Sequence, residues 1–283
     1  MKKIFLILFV LLIAGCTGNS NTGSNPNQGI IIESLTISPN DITEKEPFDI
    51  FFKVSNVGGK TTKVTPYLYG ADWLNEDDLK SRELISPNKQ TGSIGESYVY
   101  EKTFNEPVEV VKGLIDEYTI TGRICYPYTT SAATDVEIIS LTEKRQTNAK
   151  QASKTVKTDN TDAPIHIEFT IKEPLIDYGD DESELVPIAV KLKDVGGGFA
   201  TNTDECTKNP EIENTDKVHI SLTGTDIEDC EDTLRLVNGQ ATLFCKLDAT
   251  TNNLPSRTIR ITAEATYNYY KTKTATLKIS GVS

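Results

Sequence analysis

The chain has 283 residues and a formal net charge of −12 at pH 7, and a chain of this length typically forms one or two domains. Nucleic acid is not expected as a partner, because binding to it depends on a basic surface, and here 29 Lys and Arg stand against 41 Asp and Glu. The hydrophobic residues alternate with polar ones, and Thr, Ile, Val and Tyr recur. This composition is typical of β-structure rather than of disorder.

Residues 1–15 are predicted to be a lipoprotein signal peptide. Two lysines precede an apolar run over residues 4–13, which is too short to span a bilayer but suits a signal peptide. The run ends in Ala14-Gly15-Cys16, which resembles the lipobox of secreted lipoproteins and implies a lipid on Cys16. An ordinary signal peptide followed by a chance cysteine is the alternative.

Residues 16–29 are predicted to be the lipidated cysteine and a flexible tether, because Gly, Ser and Asn dominate them. The expected location is therefore the cell membrane, with the protein anchored by its lipid on the extracytoplasmic side. The membrane is then a partner through Cys16.

The body of the chain contains an internal duplication. Residues 48–59 match residues 186–197, with the same alternation of apolar positions and the same closing Val-Gly-Gly. Residues 118–126 match residues 259–267, with a small residue at the same point and a tyrosine at the end. Alternation with a period of two predicts strands that have one buried face.

The predicted fold class is all-β, with two tandem immunoglobulin-like β-sandwich domains over residues 30–141 and 163–283. A final strand is expected at the end of each domain, at 136–141 and at 275–279. Residues 142–162 are predicted to be a polar, basic linker. The alternative is a basic strip that docks on an acidic module surface or partner.

Residues 48–70 carry a family resemblance, with Val-Ser-Asn-Val-Gly-Gly followed by a second strand over residues 64–70. This strand–loop–strand pattern resembles CARDB-type immunoglobulin-like domains, which occur in tandem on archaeal and bacterial surface proteins. The resemblance covers residues 30–141 and, more faintly, 163–281. It implies adhesion, assembly or a spacer role, and it brings no catalytic residues.

Four cysteines follow Cys16, and export permits disulfide bonds between them. The hairpin predicted at Asn238-Gly239 brings Cys230 close to Cys245, so this pairing is favoured. A bond from Cys206 to one of these two is the alternative. Cys125 has no partner within its own domain, which leaves it available as a thiol.

An acidic loop offers the chain's one candidate metal site. Its members are Asp177, Asp180, Asp181 and Glu182. Clustered carboxylates bind Ca²⁺, but the spacing does not fit an EF-hand, so a solvated acidic loop is the competing interpretation. No other cofactor is expected.

Aromatic residues at matching strand ends are the candidate partner-binding residues. The set comprises Tyr126, Tyr128 and Tyr269 at the strand ends, and Trp73, which extends the surface in the first domain. An aromatic edge of this kind stacks on sugars or anchors a protein partner. The alternative is structural, with tyrosine hydroxyls that tie down the corners of a sandwich.

The sequence favours a non-enzymatic, lipid-anchored cell-surface protein that mediates adhesion or assembly of envelope structures, with a protein or glycan partner. The alternative is an accessory solute- or glycan-binding lipoprotein of a transport or secretion system. An enzyme is the least favoured class, since His166 and His219 lie in different predicted strands and no nucleophile motif accompanies them.

Overall fold

The protein folds as two β-sandwich modules that share one long sheet. The computed structural model describes residues 25–74, 79–105, 109–156, 158–179, 185–224, 226–227 and 230–282. The predicted all-β sandwich fold class is confirmed in these ranges. The predicted signal peptide and Cys16 lie outside them.

The secondary structure consists almost entirely of strands. In chain order these are β1 (Ile30–Ser38), β2 (Asp41–Thr43), β3 (Phe48–Asn56), β4 (Thr62–Tyr69), β5 (Arg82–Leu84), β6 (Ser97–Phe104), β7 (Ile115–Ser140), β8 (Ala152–Val156), β9 (Asp159–Asn160), β10 (Ile165–Glu173), β11 (Leu175–Asp177), β12 (Leu185–Asp194), β13 (Phe199–Thr201), β14 (Lys217–Thr223), β15 (Cys230–Arg235), β16 (Gln240–Asp248) and β17 (Ser256–Ser280). One short helix, α1 (Leu141–Thr147), follows β7, and 3-10 turns lie at Pro26–Gln28 and Ile212–Asn214.

Each module has a small sheet of its own. In the first module the strand order is β1-β3-β6, and in the second it is β16-β12-β10-β8. The duplicated segments form β3 and β12, which occupy equivalent places. The apolar positions that alternate along β3 are buried, from Phe48 to Val54, as a period of two requires.

The long sheet runs through both modules, in the order β15-β14-β17-β7-β4-β5. Its centre is the pair β7 and β17, which are 26 and 25 residues long. They run antiparallel without interruption, from Ile115 opposite Ser280 to Ile139 opposite Ser256. Because each strand passes from one module into the other, the modules form one continuous structure.

The two repeats exchange their final strands. The second half of β7 pairs with β11, at Ile138 opposite Leu175, and so belongs to the second module. The second half of β17 pairs with β2, at Ile279 opposite Ile42, and so belongs to the first. Each sandwich is therefore completed by the last strand of the other repeat.

This exchange corrects the predicted domain boundaries. The strand over residues 136–141 was expected to close the first domain, and the strand over 275–279 the second. In the structure, residues 136–140 complete the second module and residues 275–279 complete the first. Every even-numbered residue of β7 from Ile120 to Ile138 is buried. The alternation therefore continues without a break from residues 118–126 to residues 136–141, and the two predicted strands are one.

The predicted linker over residues 142–162 contains regular structure. Ser140 caps helix α1 by accepting a hydrogen bond from the Glu143 amide at 3.2 Å, an arrangement whose Ser-x-x-Glu spacing is present in the sequence. Strand β8 then adds to β10, with Val156 opposite Phe169. Lys154 forms an ion pair with Glu173 at 2.5 Å, so part of this basic segment docks on its own module.

The midpoint of β7 and β17 is the pair Pro127 and Asn268. Tyr126 faces Tyr269 on one side of it, and Tyr128 faces Tyr267 on the other. Because Tyr126 matches Tyr267 in the duplication, a pseudo-two-fold axis passes through this midpoint and relates the two repeats. We call the region around it the module junction.

Candidate functional site

The module junction collects the aromatic residues that the sequence singles out. Tyr126, Tyr128 and Tyr269 are at most 2% exposed, and neighbouring tyrosine rings lie 5.8 to 6.3 Å apart between centroids. Trp73 packs on Phe48 in the first module, at 5.5 Å between ring centroids. For the three tyrosines the predicted partner-binding edge is wrong, because they are inside the protein and their hydroxyls bind backbone and side chains. Trp73 is partly buried against the core of the first module.

The tyrosine hydroxyls hold the turns that follow β3 and β12. Tyr128 donates to the Asp162 carbonyl at 2.8 Å and accepts from the Lys60 amide at 3.2 Å. Tyr269 donates to Asp194 Oδ1 at 2.6 Å and accepts from the Gly198 amide at 2.8 Å. The repeated Val-Gly-Gly and the repeated tyrosines are thus two parts of one contact, formed once in each repeat.

Burial shifts the pKa values of several groups at the junction. It raises the pKa of Tyr128 to about 12 and lowers that of Lys271 to about 8, although the Asp194 carboxylate opposes the latter shift. The pKa of Asp194 is raised by burial too, against the hydrogen bonds from Tyr269 and Gly196. These groups are engaged in structural contacts, since Lys271 Nζ donates to the Gln28 carbonyl at 2.8 Å.

A disulfide bond between Cys125 and Cys206 spans the two repeats. The expectation that Cys125 stays available as a thiol is therefore wrong, although its partner does lie outside its own domain. The partner comes from the segment over residues 199–216, which the sequence assigns to the other domain. Local spacing could not reveal the bond, because 81 residues separate the two cysteines.

The segment over residues 199–216, which we call the clamped insertion, covers the outer face of the long sheet at the junction. Tyr67 donates to the Cys206 carbonyl at 2.9 Å, and Arg123 donates to the Lys208 carbonyl at 2.8 Å. Phe199 stacks on Tyr270 at 4.9 Å between centroids. Side chains of the first module thereby hold a segment of the second.

The second disulfide joins Cys230 to Cys245, which is the pair that the sequence favours. It links β15, at the edge of the long sheet, to β16, at the edge of the small sheet. In the first module the corresponding edge is closed without cysteines, since Arg82 pairs with Glu96 at 3.0 Å and lies over the Tyr98 ring at 4.2 Å.

A groove of about 1160 Å³ opens beside the junction, on the outer face of the β1-β3-β6 sheet. Its floor includes Ile31, Glu33 and Ser55, and its walls are the segments 87–95 and 160–162. Between the walls, Lys89 Nζ lies 2.5 Å from Asp162 Oδ2. The lining also includes Asn25, Pro26 and Gln28, so the N-terminal segment forms one side of the groove.

The groove combines polar and apolar surface and is close to neutral. Glu33 forms an ion pair with Lys53 at 2.5 Å, and the hydrogen bond from Lys53 holds the pKa of Glu33 below its ordinary value. A carboxylate held in this way accepts hydrogen bonds and does not readily donate a proton. With serine, asparagine and threonine side chains around it, the groove suits an uncharged ligand rich in hydroxyl or amide groups.

The candidate calcium loop is described only in part. Asp177 accepts hydrogen bonds from the Thr251 amide and hydroxyl, both at 2.7 Å, and from the Gly179 amide at 2.8 Å. These bonds lower the pKa of Asp177 and give this carboxylate a structural role. Asp180, Asp181 and Glu182 lie outside the described residues. Within the described ranges no three His, Cys, Asp or Glu side chains are grouped in a way that could hold a metal ion.

The part of the chain that the structure describes has no helix long and apolar enough to cross a membrane. The histidines stay apart, in β10 and β14. His219 Nδ1 lies 3.4 Å from the Thr233 hydroxyl, and burial lowers the pKa of His166.

Comparison with known proteins gives little further information. No family model matches the chain, and no curated protein matches it. Among solved structures, the chain is similar to the crystal structure of the collagen adhesin from S. aureus, at 12% identity and a TM-score of 0.14, over 88% of this chain and 92% of the other. A score this low carries no argument about the function.

Proposed function

We propose that this chain is a non-enzymatic, lipid-anchored surface protein that mediates adhesion or assembly of envelope structures. The observation that carries the proposal is the bracing of its body, in which exchanged strands and the bond between Cys125 and Cys206 fix one module against the other. A protein that holds partners together under load needs such a fixed geometry.

Two further features support the proposed location. Two disulfide bonds indicate an oxidising compartment, and the lipobox-like sequence at Cys16 supplies an anchor. The resemblance to tandem CARDB-type modules belongs to the same proposal, because such modules act on cell surfaces.

Metabolic labelling with a lipid precursor tests the anchor. The native chain should incorporate the label and sediment with membranes, and Cys16→Ser should lose both properties. Thr17→Ser is the matched control, because it changes the neighbouring residue and keeps the cysteine. Equal membrane binding by Cys16→Ser would refute the proposal.

Crosslinking on intact cells tests adhesion or assembly. A photoreactive residue placed at Ile212, which is 87% exposed on the clamped insertion, should capture envelope proteins or glycans. The same variant kept without irradiation serves as the control for background reaction. A native chain that crosslinks to nothing from any exposed position would count against the proposal.

A second candidate function, capture of a small polar ligand, is favoured by the groove of about 1160 Å³. A volume of this size is slightly above the usual range of ligand sites, roughly 300–1,000 Å³, and leaves room for a small ligand. Neutral oligosaccharides should then raise the melting temperature in a saturable way. Ser93→Trp, at a lining position, should abolish that rise, whereas Thr91→Trp, which is exposed and outside the lining, should preserve it.

A further inference from the structure

The chain enters the folded body at its middle, not at an end. The Gly29 carbonyl accepts hydrogen bonds from the Val57 and Gly58 amides, both at 2.9 Å. The Gln28 carbonyl accepts from Lys271 at 2.8 Å and from Tyr126 at 3.2 Å. Because Tyr126 is next to the midpoint of β7, the N-terminal segment is fixed at the module junction.

The body extends far to both sides of this point. β7 and β17 form 25 consecutive residue pairs, which span about 80 Å at a rise of about 3.3 Å per residue. Each module is therefore an arm of about 40 Å measured from the junction.

The entry point also selects one face of the body. Asn25, Pro26 and Gln28 line the groove together with Ile31 and Ser55 on the outer face of the β1-β3-β6 sheet. The clamped insertion lies on the outer face of the long sheet. These are opposite sides of a two-layer sandwich.

The connection to the proposed lipid is shorter than either arm. Nine residue steps lead from Cys16 to Asn25, and they reach at most about 32 Å in any conformation. An arm of about 40 Å cannot fit between the junction and the membrane within that reach. The body therefore cannot stand on one end.

We infer that the lipidated protein lies along the membrane, with the groove side of its small sheets toward the lipid surface and the clamped insertion toward the exterior. This inference rests on the proposed lipidation of Cys16. At full extension of the connection the long axis tilts by no more than about 50° from the membrane plane, and at half extension by about 25°. The outward face, with Ile212 exposed, is then the surface that meets partners.

Energy transfer to acceptor dyes in the bilayer measures the orientation. The full lipidated chain is reconstituted in vesicles with an uncharged dye on a non-natural residue at one of four exposed positions: Ser93 on the groove side, Ile212 on the outer side, Val111 at one end and Leu254 at the other. We expect at least about twofold stronger transfer from Ser93 than from Ile212, because the thickness of two packed sheets separates them. The two ends should give similar transfer.

A chain with a longer connection is the matched control. Insertion of twenty Gly, Ser and Asn residues after Asn21 should reduce the difference between Ser93 and Ile212, since an arm then fits beneath the junction. Stronger transfer from Ile212 than from Ser93, or from only one end, would overturn the inferred orientation. Loss of vesicle binding by the native chain would instead show that the proposed anchor has failed.

Discussion

Gly58 and Gly196 each lie against a tyrosine hydroxyl at the module junction. A Cβ atom added to Gly58 would be 2.5 Å from Tyr128 Oη and 2.7 Å from Gly29 Cα. One added to Gly196 would be 2.5 Å from Tyr269 Oη. The glycines of the repeated Val-Gly-Gly are therefore required for a close approach, and no other residue leaves room for the tyrosine.

Gly58→Ala should lower the free energy of unfolding by about 2 kcal/mol, because the extra methyl group displaces backbone as well as the tyrosine. Gly59→Ala is the control, since a Cβ there would lie 3.3 Å or more from Asp162; it should cost less than about 1 kcal/mol. Urea unfolding measures both. Equal effects of the two substitutions would contradict the role assigned to Gly58.

Lys271 should make stability depend on pH in the alkaline range. Its folded pKa is about 8, against a usual 10.5. Between these values the unfolded chain keeps a proton that the folded chain loses, so the free energy of unfolding rises with pH. Asp194 and the Tyr126 and Tyr269 hydroxyls are the titratable groups nearby, and burial keeps both tyrosines protonated in this window.

From pH 7.5 to pH 9.5 the native chain should therefore gain about 1 kcal/mol, allowing for the partial exposure of Lys271. Lys271→Met should remove this gain in stability, because methionine has no proton to release. Urea unfolding at both pH values gives the comparison. A variant that gains as much as the native chain would show that another group titrates.

At the scale of single residues, the sequence predicts the repeated glycines and tyrosines but not the contacts between them. The repeated Val-Gly-Gly and the matching tyrosines are visible as patterns, and the structural role of the tyrosines is one of the two alternatives that the sequence leaves open. That the Tyr269 hydroxyl reaches Asp194, 75 residues earlier, depends on how sheets stack. A period of two specifies only which face of a strand is buried.

At the scale of whole elements, β7 and β17 show what an alternating pattern leaves undetermined. Their strands were predicted from the alternation, and residues 118–126 and 259–267 are indeed extended and buried on one face. The continuation into the other module could not be predicted, because the same buried face fits a strand that turns back and one that runs on. Pro127, a residue that often marks a turn, here faces Asn268 within the ladder.

The disulfide between Cys125 and Cys206 should stabilise the clamped insertion more than any other element. The double variant Cys125→Ala/Cys206→Ala should lose about 2–5 kcal/mol of stability. Amide hydrogen exchange should accelerate over residues 199–216, because the covalent tie to β7 is gone.

The double variant Cys230→Ala/Cys245→Ala is the control for loss of a disulfide as such. Its faster exchange should be confined to β15 and β16, whose edges that bond connects. Unchanged exchange over residues 199–216 in the first double variant would show that the hydrogen bonds from Tyr67 and Arg123 are sufficient to hold the insertion.

For the whole molecule, strand exchange predicts that the two modules unfold together. Trp73 is the only tryptophan and reports on the first module alone. Ile220→Ala removes a fully buried side chain from the second module and should cost about 2–5 kcal/mol. Because β7 and β17 belong to both modules, the Ile220→Ala variant should unfold at a lower denaturant concentration by both probes. The midpoint of the Trp73 fluorescence transition should decrease as much as the midpoint measured by far-UV circular dichroism.

Glu231→Ala, at an exposed position of the second module, should leave both midpoints unchanged. Two independent sandwiches in tandem would give the opposite result for Ile220→Ala, with a lower midpoint for the second module and an unaltered Trp73 transition. Coincidence of the two probes therefore distinguishes one cooperative unit from two.

The axis through Pro127 and Asn268 has a consequence for how such a chain could arise. Two separate copies of a single repeat, each lending its last strand to the other, would form a homodimer with the same backbone. Joining them through residues 141–162 makes that association intramolecular, so that it no longer depends on protein concentration. Each half of the sequence is then free to diverge. The clamped insertion and the second disulfide are present in one half alone. A dimer of identical subunits could not have kept such differences.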